Sequence, residues 1–223
     1  MTVKLFFQAL MKFLLGAILV GAMIFIPAGT LRYYNGWILM VILFVPMFAA
    51  GSVMMCKNPQ LLSKRLDAKE KLKEQGIVVK LSGLMFLVGF IVAGLGVRFG
   101  WYMVPIWVVV LAAAIFVVGY IMYAEVLREN TYLSRTIEVQ ENQKVIDTGL
   151  YGVVRHPMYS ATLLLFLSMP LVLGSVYSFV IFVLYPLIIA KRIKSEEAFL
   201  IKELDGYKEY MQKVKYRLIP FIW

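Results

Sequence analysis

The stretch Gln143–Tyr159, QKVIDTGLYGVVRHPMY, decides how the rest of the chain is interpreted. It contains the only histidine of the chain, His156, and a long apolar run begins as it ends. Pro157 lies where that run starts, and proline is favoured at the first position of a helix. A helix start presents unpaired backbone N–H groups and the positive end of the helix dipole. The stretch therefore predicts that a polar, partly anionic ligand binds at the water-facing end of a membrane helix.

The composition of the whole chain is that of an integral membrane protein. The chain has 223 residues, of which 61% are hydrophobic, and its mean hydropathy is +0.80. Cys56 is the only cysteine, so neither an internal disulfide nor a cysteine-based metal site can form, and we expect no metal. The net charge of +10 is typical of basic loops near anionic lipid, so we expect no nucleic-acid partner.

Apolar runs predict an all-α membrane fold in one domain covering residues 1–223. Four runs, at about 13–29, 36–56, 81–99 and 103–126, are each suited to one membrane helix. A fifth run, residues 158–190, is too long for one span and is interrupted at Gly174-Ser175. Splitting it there predicts six spans, or five if the pair behaves as one broken element.

Three polar segments connect or follow these runs. Residues 57–80 carry seven basic residues and leucines at roughly helical spacing, which fits an amphipathic surface helix or a solvated connector equally well. Residues 136–139 alternate as a short strand would. After residue 190, apolar residues at helical spacing predict that the last span continues as an amphipathic helix to about Val214. Arg192 and Glu196 share a face of that helix, as an ordinary ion pair or as part of a site.

The basic residues predict an orientation. With the spans above, 21 of the 23 fall on one side of the membrane, and only Arg32 and Arg98 fall on the other. The positive-inside rule then places both termini and the 143–159 stretch in the cytoplasm.

The motifs of the C-terminal half resemble a known family. The chain resembles the isoprenylcysteine carboxyl methyltransferase family in VIDTGLYGVVRHPMY, the apolar hairpin after it, RIKSEE, Gly206-Tyr207 with Tyr210, and finally YRLIP. Phospholipid methyltransferases are similar in the same parts. The resemblance covers roughly residues 129–223. It implies a membrane enzyme that uses S-adenosylmethionine. The apolar runs place four helices and the amphipathic loop 57–80 in residues 1–126, which carry no such motif. The cytoplasmic cofactor pocket and catalytic half would be residues 127–223.

The resemblance also implies site residues. Arg192 would bind the methyl-accepting substrate and, with His156, is the catalytic candidate. Tyr151 and Tyr159 can pack against the adenine or face the sulfonium, while Glu196 can accept from the ribose hydroxyls or the ammonium. The complete implied cofactor-binding set is Gln143, Lys144, Val145, Ile146, Tyr151, His156, Pro157, Met158, Tyr159, Glu196 and Glu197.

The methyl acceptor remains open at this point. The resemblance implies a lipidic or prenylated small molecule taken from among the membrane lipids. A carboxylate acceptor is already nucleophilic, so positioning and exclusion of water would suffice for catalysis. An amine acceptor, as in phospholipid methylation, would have to lose a proton, to Glu129 or His156.

Two rival functions are weighed against the transferase. A membrane reductase of the sterol type would bind a nicotinamide nucleotide, but the sequence shows no second arginine cluster for its phosphate. A transporter would usually carry charged residues in mid-membrane, whereas the predicted spans contain none deep within them. Both observations favour the methyltransferase.

Overall fold

The computed structural model describes residues 3–66, 73–133 and 137–223, and nearly all of its regular structure is helical. This confirms the all-α membrane class. The helices, in chain order, are α1 Val3–Ala28, α2 Tyr34–Lys57, α3 Pro59–Leu66, α4 Lys73–Arg98, α5 Ile106–Glu129, a 3₁₀ helix Gly149–Gly152, α6 Pro157–Val172, α7 Val176–Phe182, α8 Tyr185–Glu203 and α9 Tyr207–Lys213.

Five segments of the described chain are long and apolar enough to cross a membrane. They are α1, α2, α5, residues 76–98 of α4, and residues 176–203, which combine α7 and α8. The apolar helix α6 has 16 residues, so it is about 24 Å long and shorter than a ~30 Å hydrocarbon core. Helix α6 nevertheless leads from the connector to residues 173–175, and α7 and α8 return the chain, so residues 157–203 form an apolar hairpin whose first arm is short. The predicted break at Gly174-Ser175 is confirmed, because α6 ends at Val172 and α7 begins at Val176.

Three loops meet at one end of the bundle. The hydroxyl of Tyr33 donates to the carbonyl of Leu173, and the amide of Val104 donates to the carbonyl of Gly174 over 2.9 Å. Residues 29–33, 99–105 and 173–175 therefore lie together, and the connector 130–156 and the C-terminal tail lie at the opposite end. This division agrees with the one predicted from the basic residues.

Close helix packing in the core depends on small residues. In the α5–α6 pair, Gly119 faces Leu165 and the carbonyl of Ala161. In the α1–α4 pair, a Cβ added at Gly94 would lie 3.0 Å from the backbone nitrogen of Ala28. Such positions let helix backbones approach closely, which is a principal source of stability between helices in lipid.

The surface helix is shorter than the sequence predicted. Helix α3 covers only residues 59–66, and Leu61 and Leu62 are buried as an amphipathic helix requires. Residues 67–72 of the predicted helix lie outside the described residues. The extension to Lys80 is wrong, because α4 already begins at Lys73. The apolar residues 77–79 continue the span, and charged residues near a helix end can reach the membrane surface.

Two further expectations about the polar segments need correction. Residues 137–140 form no strand in the structure, and Thr136 lies outside the described residues. The tail is not one continuous helix to Val214: α8 ends at Glu203, and α9 begins after Gly206, whose φ is 81°. Leu204, which follows α8, has an extended backbone, and the left-handed conformation at Gly206, which glycine adopts easily, precedes α9. The tail consequently folds back onto the connector.

Candidate active site

One cavity lies where the connector, the start of α6, the end of α8 and α9 converge. It is at the end of the bundle opposite the three short loops. Its lining combines backbone and side chains from residues 130–159 and 192–210. The residues that line it are Asn130, Tyr132, Leu133, Ile137, Glu138, Gln143, Lys144, Val145, Ile146, Tyr151, Arg155, His156, Pro157, Met158, Tyr159, Arg192, Glu196, Leu200, Leu204, Tyr207 and Tyr210.

All but one of the residues implied by the family resemblance line this cavity. The four connector residues 143–146, Tyr151, residues 156–159, Arg192 and Glu196 are brought together from segments about 50 residues apart. Glu197 does not line the cavity; its side chain lies behind the wall, 3% exposed. Adjacent helical residues project about 100° apart, so Glu196 and Glu197 face different surroundings.

Tyr159 links the two functional residues of α8. Its hydroxyl donates to a Glu196 carboxylate oxygen over 2.5 Å and accepts from Nε of Arg192 over 2.8 Å. Tyr159 and Arg192 are both buried. The hydrogen bonds hold the Glu196 carboxylate and the Arg192 guanidinium at fixed positions on one wall. The wall therefore presents a negative and a positive group beside each other, suited to a ligand that carries both charges.

His156 is fixed by both its backbone and its ring. It precedes α6 with Pro157 at the first position, as the sequence predicted. Its ring stacks on Tyr159, with centroids 5.7 Å apart, and Nε2 lies 3.3 Å from Oε1 of Glu197. The amides of Tyr159 and Ser160 already donate to the carbonyl of His156. The helix start therefore keeps fewer free N–H groups for an anion than expected.

Glu197 forms the centre of a buried ion cluster. It accepts from Nε of Arg155 over 2.7 Å and from Nε of Arg217 over 2.8 Å, besides its contact with His156. Among the described residues no group of three or more histidine, cysteine or acidic side chains could hold a metal ion. The charge of this carboxylate is instead balanced by the two guanidinium groups.

Tyr151 is held in the wall of the cavity as a neutral phenol. Burial raises its pKa, the hydrogen bond from Asn130 opposes that shift, and the resulting pKa is about 12. The amide of Asn130 donates to the hydroxyl over 2.9 Å, and the hydroxyl of Tyr210 donates to the carbonyl of Tyr151 over 2.7 Å. The hydroxyl of Tyr151 can therefore still donate its proton to a ligand at neutral pH.

Tyr207 is a cavity residue that the sequence reasoning missed. It is 4% exposed, and its hydroxyl has no hydrogen-bond partner in the described structure. Burial raises its pKa above the ordinary tyrosine value, so the group is a neutral donor. A buried hydroxyl without a partner is costly unless a ligand supplies one. The helical spacing of Leu200, Leu204 and Tyr207 was the signal that could have placed it here.

Most of the other lining residues that the sequence did not indicate lie in segments without regular structure or are apolar. Asn130, Tyr132, Leu133, Ile137 and Glu138 precede the recognised motif, and Leu200, Leu204 and Tyr210 follow it. The connector residues show no helical or strand periodicity that could have indicated their place in the cavity. Arg155 belongs to the recognised stretch but was not assigned to the site; its guanidinium is bound to Glu197 and to two carbonyls of the tail.

Comparison with known families agrees with this geometry. Residues 106–205 match the model of the family described as phospholipid methyltransferase. The matched segment is therefore similar to the phospholipid methyltransferase family. It covers α5, the connector, α6, α7 and α8, and thus most of the cavity lining. The resemblance to phospholipid methyltransferases expected from the motifs is confirmed over these residues.

A curated relative shares part of the same chain. The mouse (Mus musculus) protein named Delta(14)-sterol reductase TM7SF2 is 31% identical over 91 residues, which are 40% of this chain. The aligned residues cover 22% of the length of that relative. The chain therefore resembles only a minor portion of the reductase, alongside its match to the phospholipid methyltransferase family.

Proposed function

We propose that this multi-pass membrane protein transfers a methyl group from S-adenosylmethionine to an amphiphilic acceptor held in the bilayer. The family match of residues 106–205 supports the reaction class. The five apolar segments support access to a membrane-embedded acceptor. The charge distribution favours a cytoplasmic site and cytoplasmic termini.

A single observation carries this proposal. His156, Glu196 and the connector residues 143–146 line one cavity, although they come from three separate parts of the chain. The motif resemblance had implied that these residues share a cofactor pocket. A structure with Glu196 and His156 on different faces of the bundle would have left no such pocket.

The cavity residues suit the chemical groups of this cofactor. When bound, S-adenosylmethionine supplies a methyl group activated by its sulfonium. Glu196 offers a carboxylate to an ammonium or to ribose hydroxyls, and the buried hydroxyl of Tyr207 offers an unused donor. Tyr151 and Tyr159 offer aromatic rings, which attract cations and stack on planar groups. Glu197 faces away, so we assign it no direct contact with the cofactor.

Arg192 favours an anionic acceptor. Its guanidinium is buried, lines the cavity and is held by Tyr159 on α8, the helix that continues from the membrane. A guanidinium in this position would orient a carboxylate, as in a prenylcysteine-like or other lipidic acid. The carboxylate would attack directly, so the protein contributes orientation and exclusion of water.

Amine methylation of a phospholipid is the alternative acceptor chemistry. It would require a base in the cavity, and Glu129 is absent from the lining. One oxygen of Glu129 accepts from the hydroxyl of Thr148 over 2.7 Å, which ties the carboxylate to the connector. Of the two bases expected from the sequence, only His156 lines the cavity. We therefore place the carboxylate acceptor first.

A sterol-reductase-like oxidoreductase that uses NADPH is a second candidate, favoured by the relative described above. Arg155 is the lining arginine within the recognised motif, and it is already bound to Glu197 and to the carbonyls of Val214 and Lys215. It is therefore poorly placed to bind a nucleotide phosphate. This arrangement supports the methyl donor over NADPH.

The test is product labelling with purified protein. The protein would be incubated with S-adenosylmethionine labelled in the methyl group and a total membrane extract, and the labelled lipid identified. We expect base-labile methyl ester formation, lost in Glu196→Ala and His156→Ala and kept in Glu203→Ala, whose side chain is exposed. Base-stable labelling of amine lipids would instead support the phospholipid alternative. NADPH oxidation with a sterol, without any labelling, would overturn the proposal.

A further inference from the structure

The side chain of Glu197 lies behind the cavity wall, in contact with residues that position the motif. Its side chain is 3% exposed and receives three donors: Nε of Arg155, Nε of Arg217 and Nε2 of His156. Arg155 and His156 are equally inaccessible, at 6% and 5% exposed. A buried carboxylate is stable only when such partners compensate its lost hydration.

The contact with Glu197 determines which ring nitrogen of His156 acts as the donor. A neutral imidazole carries one N–H and one lone pair. Because Nε2 faces Oε1 of Glu197 over 3.3 Å, Nε2 carries the proton, and Nδ1 is left as the acceptor.

The same cluster attaches the C-terminal tail to the motif. One nitrogen of the Arg155 guanidinium donates to the carbonyls of Val214 and Lys215 over 2.8 and 2.9 Å. The backbone amides of Arg155 and His156 donate to the carbonyls of Tyr216 and Arg217, both over 2.9 Å. The tail therefore runs along the back of the stretch that contains His156.

We propose that Glu197 is a positioning residue for the active site. It fixes the Nε2-protonated tautomer of His156, which presents Nδ1 to the ligand as an acceptor, and it holds Arg217 and the tail behind the motif. The significance of Nδ1 for the reaction rests on the proposed function. The tautomer itself does not, because it is set in the ligand-free protein.

The single histidine makes this proposal directly testable. Protein labelled with ¹⁵N-histidine gives one imidazole, whose two nitrogen shifts report the tautomer. In the wild-type protein at neutral pH we expect a protonated Nε2 and an unprotonated Nδ1. In Glu197→Ala we expect both shifts to move toward the values of exchanging tautomers, and in Glu203→Ala we expect the wild-type pattern.

The outcomes separate this proposal from the proposed function. The role of Glu197 would be overturned by an Nδ1-protonated or doubly protonated His156 ring in the wild-type protein. Unchanged ¹⁵N shifts in Glu197→Ala would also overturn it. If Glu197→Ala does not fold, the wild-type tautomer decides alone. Titration with S-adenosylmethionine should show affinity lowered about tenfold in folded Glu197→Ala. Absence of binding by the wild-type protein, with the expected tautomer present, would contradict the cofactor and leave the role of Glu197 standing.

Discussion

The hydroxyl of Tyr159 lies 2.5 Å from a carboxylate oxygen of Glu196, so the first turn of α6 is tied to the C-terminal half of α8. Both residues line the cavity, and Tyr159 also accepts from Arg192. One phenol thus orients both the carboxylate proposed to bind the cofactor and the guanidinium proposed to bind the acceptor. Replacing Tyr159 with phenylalanine removes the hydroxyl and keeps the ring, so the loss of these hydrogen bonds can be measured apart from packing.

Tyr159→Phe should lower the affinity for S-adenosylmethionine roughly tenfold, because a hydrogen bond to a charged group is lost on each side of the hydroxyl. The ring and its stacking on His156 are retained, so the protein should still fold. Calorimetric titration in detergent measures the affinity. Tyr177→Phe is the matched control, since Tyr177 is half-exposed on α7, away from the cavity. Equal affinity in both variants would remove Tyr159 from the site.

Tyr207→Phe should have opposite effects on stability and binding. The hydroxyl is buried without a partner among the described residues, so its removal should leave the ligand-free protein as stable or slightly more stable. If the ligand satisfies this hydroxyl, affinity for the cofactor should fall several-fold. Thermal unfolding with and without S-adenosylmethionine measures both effects.

Tyr210→Phe provides the contrast for that experiment. Tyr210 donates to the carbonyl of Tyr151, so its variant should lose stability in the ligand-free protein. Were Tyr207→Phe to destabilise the ligand-free protein as much as Tyr210→Phe, the hydroxyl would have a structural partner and the interpretation would be wrong.

Gly149→Ala should destabilise the protein by about 1–3 kcal/mol, because two effects act at one position. Gly149 has φ of +50°, and a Cβ there would collide with the carboxylate of Glu129. Gly83→Ala is the control: Gly83 lies within α4, and no neighbour lies within 4 Å of an added Cβ. Equal unfolding temperatures for the two variants in the same detergent would show that the 149 turn tolerates a side chain.

Cys56 provides a test of the predicted orientation. It is exposed and lies at the end of α2, on the same end of the bundle as the cavity. A membrane-impermeant maleimide should therefore label it in inside-out vesicles and leave it unmodified in intact cells. Cys56→Ser is the control for background labelling. Labelling in intact cells would place the cavity outside the cytoplasm.

Local chemistry makes much of this arrangement predictable. Pro157 marks a helix start, and the RHPMY and RIKSEE motifs indicate several of the residues that line the cavity. The break at Gly174-Ser175 also follows from length, because 33 apolar residues exceed one membrane crossing.

Long-range packing is not predictable in the same way. Helical spacing shows that Glu196 and Glu197 face different directions, but not which one faces the cavity. Glu197 faces Arg155 and His156 and also accepts from Arg217, which lies 20 residues along the chain, beyond the break between α8 and α9. Gly206 is visible in the sequence, yet the apolar spacing on either side of it favours one continuous helix. The partnerless hydroxyl of Tyr207 likewise emerges only once the tail is folded back.

The central claim is that the cavity between α6, α8 and the connector binds S-adenosylmethionine through Glu196. Calorimetric titration of the wild-type protein, Glu196→Gln and Glu203→Gln tests it most directly. We predict saturable binding to one site in the wild-type and Glu203→Gln proteins, and affinity at least about tenfold lower in Glu196→Gln. Absence of binding by the wild-type protein, or the same affinity in all three, would contradict the account.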